Sequence, residues 1–137
     1  MQERYLFRGK TIRGDWVQGL LANTDDKWYI SNKAGGPFAF EIRPETICQC
    51  TGLKDKKGRL IFENDIVKDL FSDTAAPIRY GSYQSCFDST KVEHVGFYVD
   101  WSGKYNKNYR KDLGYWIHMV DAEVIGNTFD NPELLEE

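Results

Sequence analysis

Apolar and polar positions alternate most regularly between Val92 and Trp101. Val95, Phe97, Val99 and Trp101 fall on one face of an extended chain, and His94, Tyr98 and Asp100 fall on the other. A period of two is the mark of a half-buried strand. It recurs where Phe38, Phe40 and Ile42 alternate with Ala39, Glu41 and Arg43. Gly114–Val120 (GYWIHMV) is apolar on both faces, which predicts a central strand. Arg4–Gly9 and Asp15–Ala22 read as a hairpin joined by Lys10–Gly14, and Lys27–Ser31 as a third short strand. Phe71–Lys91 is rich in Ser, Thr and Gly with little periodicity. It predicts a long loop around a weak strand at Ile78–Tyr83, a solvated insertion before it is a binding loop.

Turn chemistry is densest in Thr51–Lys68, TGLKDKKGRLIFENDIVK. Lys57-Gly58 supplies a glycine, which accepts positive φ without a Cβ clash. In Glu63-Asn64-Asp65, Asn and Asp tolerate left-handed backbone and bond their own main chain. The chain is therefore expected to reverse twice here, around a short strand Arg59–Phe62 and ahead of a new strand at Ile66. Pro44-Glu45-Thr46 predicts a single helical turn. Glu123–Asn127 closes the sheet, and Asn131–Glu137 is an acidic tail with a short helix. Eight or nine short strands separated by turns predict an all-β barrel or sandwich.

Composition narrows this picture. With 137 residues, 41% of them hydrophobic and 15% aromatic, the chain can bury a core, and its aromatics favour strands. The net charge is −3 and unevenly placed. Residues 1–68 carry 12 basic and 9 acidic side chains (+3), whereas residues 69–137 carry 6 and 12 (−6). Such asymmetry suits head-to-tail association and is also a common incidental feature. No apolar run approaches the roughly 20 residues of a membrane helix, and Met1-Gln2-Glu3-Arg4 has no signal-peptide core. A soluble protein of the bacterial cytoplasm, with no membrane partner, is expected. Three cysteines fit a reducing compartment.

The signature stretch resembles that of the YopX family, small proteins of bacteriophages and prophages. The resemblance is carried by Pro44-Glu45-Thr46, Gln49, Thr51-Gly52-Leu53, Asp55, Gly58 and Phe62-Glu63-Asn64-Asp65-Ile66-Val67. Phe7-Arg8-Gly9-Lys10 with Trp16 and Gly19 is similar to the family's N-terminus. Glu123-Val124-Ile125-Gly126-Asn127 with Asn131-Pro132-Glu133-Leu134-Leu135 is similar to its C-terminus. Asn64 stands where the family commonly has Gly, and Cys50 where an aromatic is commoner. The resemblance implies an SH3-like β-barrel core and carries no established biochemical activity. The expected architecture is thus one YopX-like domain, 1–137: an N-terminal β lobe over about 1–58, an SH3-like barrel over about 59–128 and a tail over 129–137.

Candidate chemistry is sparse. Cys48 and Cys50 share a strand face and, with Cys86, His94 or His118, are the residues from which a zinc site would be built. Without a second paired motif they read as buried free thiols, and no metal or other cofactor is expected. His94 and His118 are the candidates for an enzyme of unknown reaction, but no nucleophile elbow, metalloprotease helix or phosphate-binding glycine loop accompanies them. Lys104, Tyr105, Lys107, Tyr109, Arg110 and Lys111 interleave cations with tyrosines, as in single-strand-binding barrels. Lys54, Lys56, Lys57 and Arg59 form a second basic cluster. A pI near 5.4 argues against a nucleic-acid module as the first reading. What stands is a phage or prophage accessory protein, not an enzyme, that works by binding, either as a homo-oligomer or with a host protein. Tyr98 and Trp116, opposite the apparent core faces of their strands, are its expected contact residues.

Overall fold

The computed structural model describes residues 5–31, 39–68, 75–84, 93–100, 110–113 and 122–135. These hold eleven strands: β1 (Phe7–Lys10), β2 (Trp16–Thr24), β3 (Lys27–Ser31), β4 (Phe40–Ile42), β5 (Cys48–Lys54), β6 (Leu60–Phe62), β7 (Asp65–Lys68), β8 (Ala75–Gln84), β9 (Glu93–Asp100), β10 (Arg110–Asp112) and β11 (Glu123–Asn127). The protein is all-β, in two antiparallel sheets. Short 3-10 turns occupy Pro44–Thr46 and Pro132–Leu135, where the sequence predicts a helical turn and a short helix. Two compact units divide the chain, Met1–Gly52 and Leu53–Glu137.

In the first unit the strand order is β4-β3-β2-β1-β5. The β2–β3 hairpin turns on Asp25 and Asp26, at φ 52° and 63°, with Thr24 opposite Lys27. That two-residue reversal matches the right-handed twist of the strands it joins. The sheet curls until the end of β1 meets β4. Thr11 bridges Ile42, and the Arg43 N–H donates to the Lys10 carbonyl at 2.8 Å. Gly9 lies at this close approach, where a Cβ would strike the Ile42 side chain. Thr46 secures the same corner, accepting from the Lys10 N–H at 2.8 Å and donating to the Arg43 carbonyl at 2.7 Å. Ile30, Ile42, Cys48 and Cys50 are buried, and neither cysteine is in a disulfide.

The second unit is built on a five-stranded sheet ordered β10-β9-β8-β7-β11. Ile61, Val67, Ala76, Ile78, Val99, Leu113 and Ala122 form one buried cluster, with Leu53, Phe97 and Val124 packed against it. Among the described residues this sheet is open, so the all-β class expected from the sequence is present without a closed barrel after Arg59. The strand expected at Ile78–Tyr83 is present and longer than expected: β8 runs for ten residues and pairs with β9 from Ile78↔Val99 to Gln84↔Glu93, while the rest of the loop expected over Phe71–Lys91 lies outside the described residues. The serines and glycines of β8 hide the pattern because Gly81 faces Gly96 across the ladder. The Tyr98 ring covers Gly81 and the Tyr83 ring covers Gly96, so aromatic area replaces the missing side chains.

β11 pairs with β7 and is bulged between Val124 and Gly126. Beyond it the chain doubles back. Asn127 Oδ1 accepts from the N–H groups of Phe129 and Asp130 at 3.0 and 2.9 Å. Gly126 admits this turn, because a Cβ there would come within 2.5 Å of Asn131 Oδ1 and 2.9 Å of Leu134 Cδ1.

Candidate functional site

The signature turn owes its shape to one buried carboxylate. Asp55 Oδ1 accepts from the backbone N–H groups of Lys57 and Arg59, each at 2.9 Å. Its Oδ2 accepts from the Val124 N–H at 3.0 Å and from Arg59 Nε at 3.2 Å. The Lys56 N–H donates to the Ala122 carbonyl at 3.0 Å. Together these bonds fasten the hairpin tip onto the start of β11 and give that edge strand polar partners. Gly58, at φ 79°, completes the turn. Burial pushes the Asp55 carboxyl up, but the bonds from Val124, Arg59 and Lys57 and the Arg59 charge outweigh it. The group is held below the usual carboxylate range. Glu123 sits above the clasp, 3.1 Å from Lys57 Nζ and 3.5 Å from Arg59 Nη2. The Lys57 hydrogen bond is the first cause that holds its pKa down.

The second signature turn is as specific. Asn64 takes φ 70°, the left-handed conformation for which Gly is common and Asn the next choice. Its N–H donates to the Ile78 carbonyl, its carbonyl accepts from the Thr128 N–H, and its Oδ1 accepts from Arg79 Nη1 at 2.7 Å. Here the asparagine side chain does what glycine cannot: it anchors Arg79. Asp65, buried in the same turn, accepts from the Phe62 N–H at 2.8 Å.

On β8 and β9 the face that carries Ile78 and Val99 continues outward past the core. Tyr80 and Phe97 sit opposite each other with ring centroids 5.1 Å apart, edge to face. Tyr80 is 55% exposed and Val95 is 69% exposed, so an apolar strip lies open to solvent. The periodicity had assigned Val95 to the core; the strand outruns the core beneath it.

Tyr98 is the reverse case. Expected on the exposed face, it is only 6% exposed, with its ring over Gly81 and 6.0 Å from that of Tyr83. Both faces of β9 are covered at this position, which one strand's alternation does not reveal. It is therefore not a surface contact residue. Arg110 and Lys111 lie on β10, paired with Asp100 and Val99, with only their backbone described. The backbone of His94 lies opposite Tyr83. Trp116, Lys104, Tyr105, Lys107, Tyr109, His118, Cys86 and the strand expected at Gly114–Val120 lie outside the described residues. Among the described residues no group of three His, Cys, Asp or Glu side chains is placed to hold a metal ion. No helix among them is long and apolar enough to cross a membrane.

In the first unit, Arg8 and Lys10 bring their cations to 4.9 and 5.4 Å from the centre of the Trp16 ring. Neighbouring side chains on β1 stack on the residue across the ladder, an attraction between cation and π-face.

These features define the class: a small all-β protein with a carboxylate-centred hairpin clasp and a glycine-mounted C-terminal turn. The family model described as YopX protein matches residues 9–136, and the chain belongs to the YopX family. No curated protein matches it.

Proposed function

We propose that the protein is a phage or prophage accessory protein of the bacterial cytoplasm that acts by binding, through self-assembly, and that it is not an enzyme and needs no cofactor. On this reading the second unit is the family's SH3-like core, elaborated by a long β8–β9 hairpin that carries the contact surface. The observation that supports the reading is the exposure of Tyr80 and Val95, on either side of half-buried Phe97. Exposed contiguous apolar area of this kind commonly marks an interaction surface. Trp116 is retained as a further contact candidate. Light scattering tests the reading: the parent is expected well above the 15.9 kDa of one chain, and Tyr80→Ser with Val95→Ser should shift the mass toward it. A parent that stays at one-chain mass through the micromolar range overturns it.

A second reading, single-stranded nucleic acid held by the 104–111 segment, draws on one observation. Asp100 pairs with Arg110, so the stretch with Lys104, Tyr105, Lys107 and Tyr109 joins two adjacent strands and is followed by Arg110 and Lys111. Retention of a labelled oligonucleotide that falls steeply with salt would favour it.

A further inference from the structure

The two ends of β11 carry opposite charge on rigid mounts. At its start the signature hairpin exposes Lys54, Lys56, Lys57 and Arg59, whereas Asp55 is turned inward and spends its carboxylate on backbone N–H groups. Glu123 is the acid this tip shares, through Lys57 and Arg59. Counting the four cations against Asp55, Glu123 and Asp121, which precedes Ala122 in the sequence, leaves a formal charge of +1. At the other end the turn after Asn127 exposes Asp130 and Glu133, with Leu135 beside them 36% exposed. Five residues of extended chain separate the two ends, about 13 Å. That exceeds the screening length of about 8 Å at physiological salt, so within one chain the poles neutralise each other little.

Each pole is also held in shape. The clasp to Val124 and Ala122 fixes the basic tip. The acidic turn packs Asn131 and Leu134 onto Gly126. A charged surface that is already ordered loses less entropy on docking than a flexible one. Lysine stems are apolar beneath their charges, which gives Leu135 a surface to lie against while Glu133 meets an ammonium group.

We propose that these are the complementary halves of one directional contact: the acidic Asp130–Leu135 turn of one copy docks on the basic Lys54–Arg59 tip of the next. The proposal rests on the self-assembly reading and deepens it. The apolar strip supplies affinity, and the poles set the direction in which copies meet, the part charge complementarity plays best. A contact between two different patches is heterologous, so it propagates into a ring or a filament and does not stop at a two-fold dimer. An acidic protein partner of the host would carry the same charge. The second copy is favoured because the matching acidic turn is on this chain, mounted on the same strand.

Two variants test it: Lys54→Gln with Lys56→Gln, which spares the clasp residues, and Glu133→Gln with Leu135→Ser. Both change exposed side chains, and circular dichroism should match the parent. Sedimentation at 50 mM and 500 mM NaCl should show each variant self-associating about five-fold more weakly than the parent at low salt, with the difference gone at high salt for the lysine variant and reduced for the one that also loses Leu135. Mixed one to one at low salt, the two variants should associate more tightly than either does alone, since each retains the half the other lacks. An oligomer indifferent to salt and to both variants overturns this inference and leaves the self-assembly reading intact. A parent that is monomeric throughout overturns both. Loss of binding to a labelled single-stranded oligonucleotide in the lysine variant, with assembly unchanged, would assign the tip to nucleic acid and overturn the contact.

Discussion

In the first unit the end of β1 comes so close to β4 that a single methyl group at Gly9 would strike Ile42, and the corner is finished by main-chain bonds and the Thr46 hydroxyl. The second unit gathers seven aliphatic residues into one cluster and fastens its edge strand with the Asp55 carboxylate. One relies on an absence of side chain, the other on the placement of one charged side chain. The difference teaches where each is vulnerable: the first to added volume, the second to lost polarity.

The largest effect should therefore come from Gly9→Val, which overfills the corner and is expected to cost about 3 kcal/mol. Hydrogen exchange would show where the cost falls. Amides of β2–β4 should lose protection while those of β7–β9 keep theirs; uniform loss would break the contrast between the units.

Asp55→Ala comes next, at about 2 kcal/mol, because it leaves the Lys57, Arg59 and Val124 N–H groups without their acceptor. Acid should mimic it. The folded Asp55 carboxyl lies below its ordinary value, so its stabilisation is in place above pH about 4 and is lost as pH falls through the depressed folded value. Denaturant midpoints measured from pH 7 downward should fall for the parent over that acid range and fall less for Asp55→Ala. Parallel curves would remove Asp55 from the clasp.

Gly58→Val should cost about 1.5 kcal/mol. A Cβ there meets nothing within 4 Å, so the loss is backbone strain at φ 79° alone. Coincident midpoints for mutant and parent would refute the turn. Asn64→Gly is the mildest change, below about 1 kcal/mol, since relief of left-handed strain offsets the lost bond to Arg79. Asn64→Ala, which keeps the strain and loses the bond, should be the more damaging of the two in the same thermal melts.

Much of the strand pattern was legible because it is local. Alternation placed Val99 and Ile42 inside, and turn chemistry located Gly58 and Asn64. The family motifs were legible too, at Pro44–Val67 and at both ends. What the chain order concealed was reach. Nothing within Lys54–Arg59 announces that Asp55 binds Val124, since the partner is a main-chain N–H and any residue has one. Tyr98 was misplaced for a related reason. Alternation reports one covered face, and at Tyr98 both faces are covered, by the core on one side and by tyrosine over paired glycines on the other. Val95 shows the opposite limit, an apolar position on a strand that extends past its core.

The Asp55 clasp also bears on how the chain folds. Two of its backbone bonds close within four residues, and the third spans 69. The short ones can form with the turn itself, in the microseconds typical of a hairpin, whereas the long one must wait until β11 has been brought in from the far end of the chain. A single carboxylate thus belongs to both an early and a late event. Its loss should be shared between slower folding and faster unfolding, with an intermediate φ-value where Gly58, confined to the turn, would register early.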